Sequence, residues 1–187
     1  MPTQSILDPE DGRCRLRPAE AEDAEAYVDY LRRNWPRFRG AMPTEDETTF
    51  DAATHARRFA AWTAAADEPA SVAILLVDRD TPRILGNITF ANIVYGALRA
   101  CHLGYKIDRE IEGLGIMRRS IETCFETMFG RYRLHRIMAN YRPENVRSGA
   151  LLKGLGFEVE GFARDYLHLD GQWRDHILTA LVRPSPR

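Results

Sequence analysis

Three features that would define other protein classes are missing from this 187-residue chain: a cysteine framework, a long apolar run and an excess of charge of one sign. Its three cysteines are odd in number and form no Cys-x-x-Cys pair, which argues against disulfides or a zinc site and predicts buried thiols in a reducing compartment. No stretch is apolar enough for a membrane span or a signal peptide. The sequence therefore predicts a cytoplasmic protein that does not bind membranes.

The charge is balanced, with 26 basic and 27 acidic side chains and a net charge of −1. A protein that binds nucleic acid directly is usually basic overall, so direct nucleic-acid binding is not expected. The length and the hydrophobic fraction of 44% suit one domain with a sizeable core. We expect residues 1–12 to be loosely ordered and residues 13–187 to form that single domain.

The apolar spacing predicts an α/β protein in which a central mixed sheet is flanked by helices. Strands are predicted at 14–17, 71–77, 84–93, 100–107, 136–141, 158–162, 166–169 and 172–182. Helices are predicted at 18–35, 48–66, 116–129 and from a cap at Asn145 to about 153. Residues 36–44 contain two prolines and are predicted to be a loop. Asp170-Gly171 is a typical hairpin turn between the last two strands.

A glycine turn stands between the predicted strand 100–107 and the helix that begins at Ile116. In Glu112-Gly113-Leu114-Gly115, free backbone N–H groups and the positive end of the helix dipole would converge, which suits a pyrophosphate. A dinucleotide fingerprint would need a third glycine where Arg118 stands, and a P-loop would need Gly-Lys-Ser/Thr. Taken alone, the turn is equally compatible with glycines that only permit positive φ.

The segments around this turn resemble those of the GNAT acetyltransferase family. The turn is followed by a strand, then by Pro-x-Asn-x-x-Ser, a short helix and Gly-Phe, as in that family. More closely, the chain is similar to the RimJ-type ribosomal-protein alanine N-acetyltransferases. The matching segments are residues 101–105, 135–141, 155–157 and 170–176. The likeness runs from about residue 14 to the C-terminus and is strongest after residue 84.

The resemblance implies that acetyl-CoA is the cosubstrate and lies between two splayed central strands, 100–107 and 136–141. Strand backbone would pair with the pantetheine arm, and the amides of the glycine turn would bind the pyrophosphate. The cofactor-binding residues implied in this way are Tyr105, Lys106, Ile107, Gly113, Leu114, Gly115, Ile116, Met117, Arg118 and Asn145. Arg118 is equally compatible with a solvated helix face, and Asn145 also suits a helix cap.

Two residues of the turn depart from the family pattern. Glu112 stands where the family usually has Gln or Arg, so a carboxylate would lie near the phosphates and weaken CoA binding. Met117 replaces the usual final Gly or Ala.

The resemblance also implies the catalytic residues. Many family members protonate the leaving thiolate with a tyrosine, but Leu152 occupies that position here, and RimJ-like proteins offer a serine at the Ser148 position instead. Glu160 is the first candidate for the general base, with Asp165 and His102 as others. Each of these three is also compatible with a structural role. The remaining histidines lack metal-ligand spacing, so no metal site is expected.

The implied reaction is direct attack of an amine on the thioester carbonyl. The expected acceptor is the N-terminal α-amine of a protein, in the first instance a ribosomal protein, and the enzyme would be a monomer or a homodimer. The candidates for the peptide groove are residues 34–37, Tyr166, Trp173 and Arg174. One alternative is an acetyltransferase of small amines. Another is a non-catalytic CoA-binding or ribosome-associated factor, which Glu112 and the missing tyrosine would fit.

Overall fold

The computed structural model of the protein describes residues 13–42, 48–65 and 67–183, so residues 1–12, predicted to be loosely ordered, lie outside the described part. The strands are β1 (Cys14–Pro18), β2 (Val72–Asp78), β3 (Ile84–Val94), β4 (Ala100–Ile107), β5 (Arg136–Tyr141), β6 (Glu158–Leu169) and β7 (Gln172–Val182). The helices are α1 (Ala24–Phe38), α2 (Ala52–Ala64), α3 (Ile116–Glu126) and α4 (Val146–Gly154).

All seven strands join one sheet in the order β1-β2-β3-β4-β5-β7-β6. Neighbouring strands are antiparallel except β4 and β5, which run parallel at the centre. These two pair only from Ala100 to His102 against Arg136 to Met138. Beyond that point they separate, which confirms the predicted mixed sheet with splayed central strands.

Helices cover both faces of the sheet because the buried strands alternate between two apolar cores. In β2, Ile74 and Leu76 point into a core completed by residues of α3 and α4, while Ala73 and Leu75 point into one completed by α1 and α2. Both faces of this strand are therefore buried, as its continuous apolar run predicts. The three cysteines are buried and are not joined by disulfides, also as predicted.

The first two helices differ in their bounds from the prediction. The structure places Pro36 inside α1, which runs on to Phe38, where the sequence predicts a loop from Pro36. A proline in the last turn costs the helix one hydrogen bond, and Phe38 is buried against Tyr30 at a ring distance of 5.5 Å. The second helix begins at Ala52 because the Asp51 carboxylate caps it, accepting the Thr54 N–H at 2.9 Å.

Two further segments are longer or differently wound than the prediction. The strand β6 is continuous where two strands were expected, because a register shift between Ala163 and Leu167 absorbs the irregularity, with Asp165 at φ 48°. The helix α3 ends at Glu126 and is followed by a π-helical turn. Asp170 and Gly171 both have positive φ and form the predicted hairpin turn. Among the described residues, no helix has the length and apolarity to cross a membrane.

Candidate active site

The separation of β4 and β5 opens a cleft of about 1350 Å³ that reaches both faces of the sheet. On one face it is bordered by α3 and α4, and on the other by α1, α2 and the β6–β7 hairpin. Single-ligand pockets usually measure about 300–1,000 Å³. The cleft is thus large enough for two substrates that approach each other through the sheet.

The glycine turn forms one wall of the cleft and presents unpaired amides. Gly113 and Gly115 have φ of 81° and 74°, a left-handed conformation that glycine adopts without strain. Within the described chain, the backbone N–H groups from Gly113 to Arg118 have no protein acceptor, and the first amide that is bonded is that of Arg119, to the Gly115 carbonyl at 3.2 Å. This is the arrangement that a pyrophosphate requires at a helix N-terminus.

Most of the residues predicted to bind the cofactor line this cleft. They are Tyr105, Lys106, Ile107, Gly113, Gly115, Ile116, Met117, Arg118 and Asn145. Leu114 is not among the lining residues, and its side chain is exposed at the tip of the turn. Arg118 lines the cleft while its Nε donates to Glu122 at 3.1 Å, so both interpretations of this residue fit the structure.

A buried carboxylate fixes the start of the turn against α1. Asp108 directly follows β4 and is 2% exposed. It accepts hydrogen bonds from Arg33 Nε at 2.9 Å and from Asn34 Nδ2 at 3.2 Å. Burial alone would raise the pKa of this carboxyl, but the donated bonds, first that of the Glu110 N–H, hold the pKa below its usual value. The loop before the glycines is therefore anchored.

Ser148 lies on the first turn of α4 and forms a close pair with Tyr105 of β4. The two hydroxyl oxygens are 2.6 Å apart, and either could be the donor. Asn145 caps α4 by accepting the Ser148 N–H at 3.1 Å, as its position in the motif predicts. Burial raises the pKa of Tyr105, although the bond to Ser148 lowers it in part. The resemblance implies a role for the Tyr105 backbone only, and the sequence gives no sign of this contact of its hydroxyl.

The three candidate bases do not line the cleft. Glu160 forms an ion pair with Arg136, the first residue of β5, at the end of the strand where β4 and β5 are still paired. Asp165 is exposed on the irregularity of β6, where its N–H donates to Asp175 Oδ1 at 2.8 Å. His102 occupies the last position of β4 that is paired with β5. The structure therefore does not bring any of the three to Ser148.

Other polar residues line the cleft on the face of α1 and α2. Asn87 of β3 is 3% exposed, and its Oδ1 has no protein partner, while its Nδ2 donates to Thr89 Oγ1 at 3.2 Å. Lys106 lies beside Asn87, and burial, with a smaller contribution from Arg58, lowers its pKa to about 8. Asn87 and Thr89 alternate with apolar residues in a buried strand, a signal that could have identified them.

A second polar group lies on the hairpin side of the same face. Asn140, near the end of β5, donates through Nδ2 to the Tyr166 hydroxyl at 3.1 Å. The Tyr166 ring lies 5.5 Å from the buried ring of His176, which also lines the cleft. Trp173, another candidate for the peptide groove, is 60% exposed and packs on His168 outside the cleft. Among the described residues, no group of three potential metal ligands is found.

Comparison with known proteins identifies the family to which this fold belongs. The sequence profile of the family described as Acetyltransferase (GNAT) domain matches residues 13–158. The chain belongs to the GNAT acetyltransferase family. This confirms the predicted family, and a cleft beside a glycine turn is what such a domain needs to hold CoA.

Individual relatives of this GNAT domain agree with the predicted enzyme class and cosubstrate. The chain is 50% identical over 110 residues to the ribosomal protein uS5-alanine N-acetyltransferase of Escherichia coli (strain K12), a match covering 59% of the chain and 57% of that enzyme's length. The ribosomal-protein-S5-alanine acetyltransferase of Vibrio fischeri superposes with a TM-score of 0.87 at 32% identity, covering 92% and 94% of the two chains. Mycobacterium smegmatis RimJ, solved with CoA-disulfide, gives 0.80 at 28% identity, covering 90% and 81%.

Proposed function

We propose that this GNAT domain is an acetyl-CoA-dependent N-acetyltransferase that acts on the N-terminal α-amine of a protein, a ribosomal protein in the first instance. The observation that carries the proposal is the cleft between β4 and β5. It joins free amides and a serine–tyrosine pair on one face of the sheet to a polar pocket on the other face. One side suits the cosubstrate and the other side suits the acceptor.

The residues on the face with the free amides and the serine–tyrosine pair fit acetyl-CoA, which when bound supplies an acetyl thioester. The unpaired N–H groups from Gly113 to Arg118 would hold the pyrophosphate. A side chain is absent at Gly113, where the space around the missing Cβ is open, so the backbone is accessible to a ligand. The edge of β4 beyond His102 has no strand partner in β5 and would pair with the pantetheine arm.

The hydroxyl pair supplies the proton that the leaving thiolate needs. We assign the general acid to Ser148, with Tyr105 holding its oxygen at 2.6 Å. Because burial raises the pKa of Tyr105, its hydroxyl stays protonated across the neutral range and can return a proton to Ser148. The proton that the amine loses on acetylation passes to solvent in the open cleft, and solvent reprotonates Tyr105, so that one proton is released by the amine and one is taken up by the thiolate. An amide of the unpaired β4 edge would polarise the thioester carbonyl, as in other oxyanion sites.

An α-amine acceptor removes the need for a strong base. Glu112 is the only carboxylate among the described cleft-lining residues, and two arginines hold it. The pKa of an α-amino group is about 7.7–8.0, so roughly a third of such amines are neutral at pH 7.5, against about one in a thousand lysine amines. Among the described residues of the cleft, no free carboxylate lies beside the acceptor, which favours N-termini over lysine side chains.

The names of the relatives suggest the first acceptor to test. The Escherichia coli and Vibrio fischeri proteins are both named for the alanine of one ribosomal protein. We therefore propose an alanine-initiated ribosomal-protein N-terminus as the acceptor, which would place the reaction in the cytoplasm.

A panel of acceptors tests the function. Acetylation by acetyl-CoA should be measured on peptides that begin with Ala or Ser, on the same peptides with a blocked N-terminus and an internal lysine, and on spermidine. We expect turnover only on the free α-amines. Turnover on spermidine without peptide turnover would support a small-amine acetyltransferase, and CoA binding without any turnover would support a non-catalytic factor.

A further inference from the structure

One carboxylate at the mouth of the cleft holds two arginines that come from opposite sides. Glu112 Oε1 accepts from Arg147 Nη1 of α4 at 2.6 Å, and Oε2 accepts from Arg37 Nη2 of α1. All three residues line the cleft. Each carboxylate oxygen thus has its own guanidinium, and the three residues, here named the Arg-Glu-Arg bridge, connect α1 to α4.

The position of the Arg-Glu-Arg bridge points to its ligand. Glu112 directly precedes Gly113, the first residue of the turn that presents free amides to the cleft. Guanidinium groups bind carboxylates and phosphates through the same bidentate geometry. A phosphate group that reaches these amides therefore enters the place where two guanidinium groups already hold an anion.

We infer that Arg37 and Arg147 are a phosphate-binding pair for the pyrophosphate of the cosubstrate, and that Glu112 is an intramolecular competitor that occupies them. This inference rests on the proposed use of acetyl-CoA. When the pyrophosphate binds, both guanidinium groups exchange the Glu112 carboxylate for phosphate oxygens. In the free protein, Glu112 holds the two arginines in place and offsets part of their charge, at the expense of a lower affinity for the cosubstrate.

None of the three side chains is buried, which makes this exchange easy. The Arg147 side chain is 79% exposed, and those of Arg37 and Glu112 are 32% and 28% exposed. Ion pairs that water reaches contribute little to stability, because water solvates the separated charges well. Glu112 can therefore leave the arginines without a large loss of stability, whereas the buried carboxylate of Asp108, paired with Arg33 just before it, keeps the loop in place.

The affinity for CoA, measured by titration calorimetry, tests the competition. We expect Glu112→Gln to bind CoA roughly tenfold more tightly and Arg147→Gln roughly tenfold more weakly, the effect of one charge-assisted hydrogen bond. Glu110→Gln is the matched control. Glu110 lies on the same loop and pairs with Arg83 at 2.8 Å, but it does not line the cleft, so its loss should leave the CoA affinity unchanged.

Two truncated ligands identify the group that the arginines take. With dephospho-CoA, which keeps the pyrophosphate, the gain of Glu112→Gln should persist. With pantetheine, which has no phosphate, the gain should disappear. If the gain in affinity persisted with pantetheine, or disappeared with dephospho-CoA, the assignment of the arginines to the pyrophosphate would be overturned.

The competition itself fails if Glu112→Gln binds CoA as the unchanged protein does or more weakly, since Glu112 would then only position the arginines. If Glu110→Gln tightened CoA binding by the same factor, the gain would come from the loss of any negative charge on this loop and not from the release of the two arginines. Circular dichroism melts without ligand show whether each variant is folded. A protein that binds no CoA at all would contradict the proposed function, which is a separate outcome from equal binding by the variants.

Discussion

At the scale of single residues, the paired hydroxyls of Tyr105 and Ser148 carry the proposed proton transfer. Tyr105 is on a strand and Ser148 is on a helix 43 positions later, yet their oxygens are 2.6 Å apart. The helix cap at Asn145 fixes the first turn of α4 and with it the Ser148 backbone. Removal of either hydroxyl should therefore affect the chemical step more than cosubstrate binding.

We expect Ser148→Ala to lower kcat about 100-fold or more, as the loss of a general acid does. Tyr105→Phe keeps the ring and removes only the hydroxyl, so it should lower kcat by about tenfold while the KM for acetyl-CoA stays near its original value. Steady-state kinetics on an alanine-initiated peptide measure both. A larger loss in Tyr105→Phe than in Ser148→Ala would make the tyrosine the acid, and unchanged turnover in Ser148→Ala would remove Ser148 from the mechanism.

Lys106 gives the stability of the protein a pH dependence of known sign. Its pKa is about 8 in the folded protein against the ordinary value of 10.5, because burial disfavours the charge. Between these two values the unfolded chain binds more protons than the folded one, so the contribution of Lys106 to stability rises with pH across that interval. Below pH 8 the full penalty of the buried charge is present.

Lys106→Met should therefore be more stable than the unchanged protein at pH 7, and its advantage should shrink as the pH rises from 8 toward 10.5. Urea unfolding at a series of pH values measures the difference. Lys153→Met, at an exposed position on α4, should show no such trend. A constant advantage of Lys106→Met at all pH values would mean that its cause is packing and not charge.

At the scale of secondary-structure elements, the sequence predicted what short-range patterns determine. The Asn145 cap and the Asp170-Gly171 turn depend on residues within four positions, and both are present. The extension of α1 through Pro36 was missed because Phe38 is held by a distant core. Likewise, only tertiary contacts decide that Glu160 pairs with Arg136 away from the cleft.

The contact between α4 and β5 leaves little room for a side chain at Gly149. A Cβ at Gly149 would lie 2.8 Å from Tyr141 Cε2, which is too close for two carbon atoms. A Cβ at Gly154, at the end of the same helix, would meet Arg118 Nη1 at an ordinary 3.5 Å. The two glycines therefore form a matched pair in which only one is constrained by packing.

We expect Gly149→Ala to lower the free energy of unfolding by about 1–3 kcal/mol because either α4 or the Tyr141 ring must shift to make room. It should also lower kcat, because Ser148 moves with the helix. Gly154→Ala should be neutral or stabilising by up to about 1 kcal/mol, since alanine favours the helix. Urea unfolding and kinetics on both variants check this, and equal stability of the two would show that Tyr141 yields without cost.

At the scale of the whole molecule, the decisive feature is the early separation of the two parallel strands. β4 and β5 share only three residue pairs, and the cleft between them is bordered by helices from both faces of the sheet. Local periodicity carries no sign of this separation, because each strand reads as an ordinary apolar segment. It was predicted only through the resemblance of several distant motifs to one family.

Because the cleft is built from both faces, a bound cosubstrate should stabilise the molecule as one unit. A ligand at 100 times its Kd adds about 2.7 kcal/mol to the free energy of unfolding. For a chain of this size each kcal/mol raises the Tm by about 2–4 °C, so saturating CoA should raise it by roughly 5–10 °C. Differential scanning calorimetry should show one transition that moves as a whole. Two transitions of which only one moves would mean that the helices α1 and α2 unfold independently of the cofactor side, and the two faces would then not act as a single site.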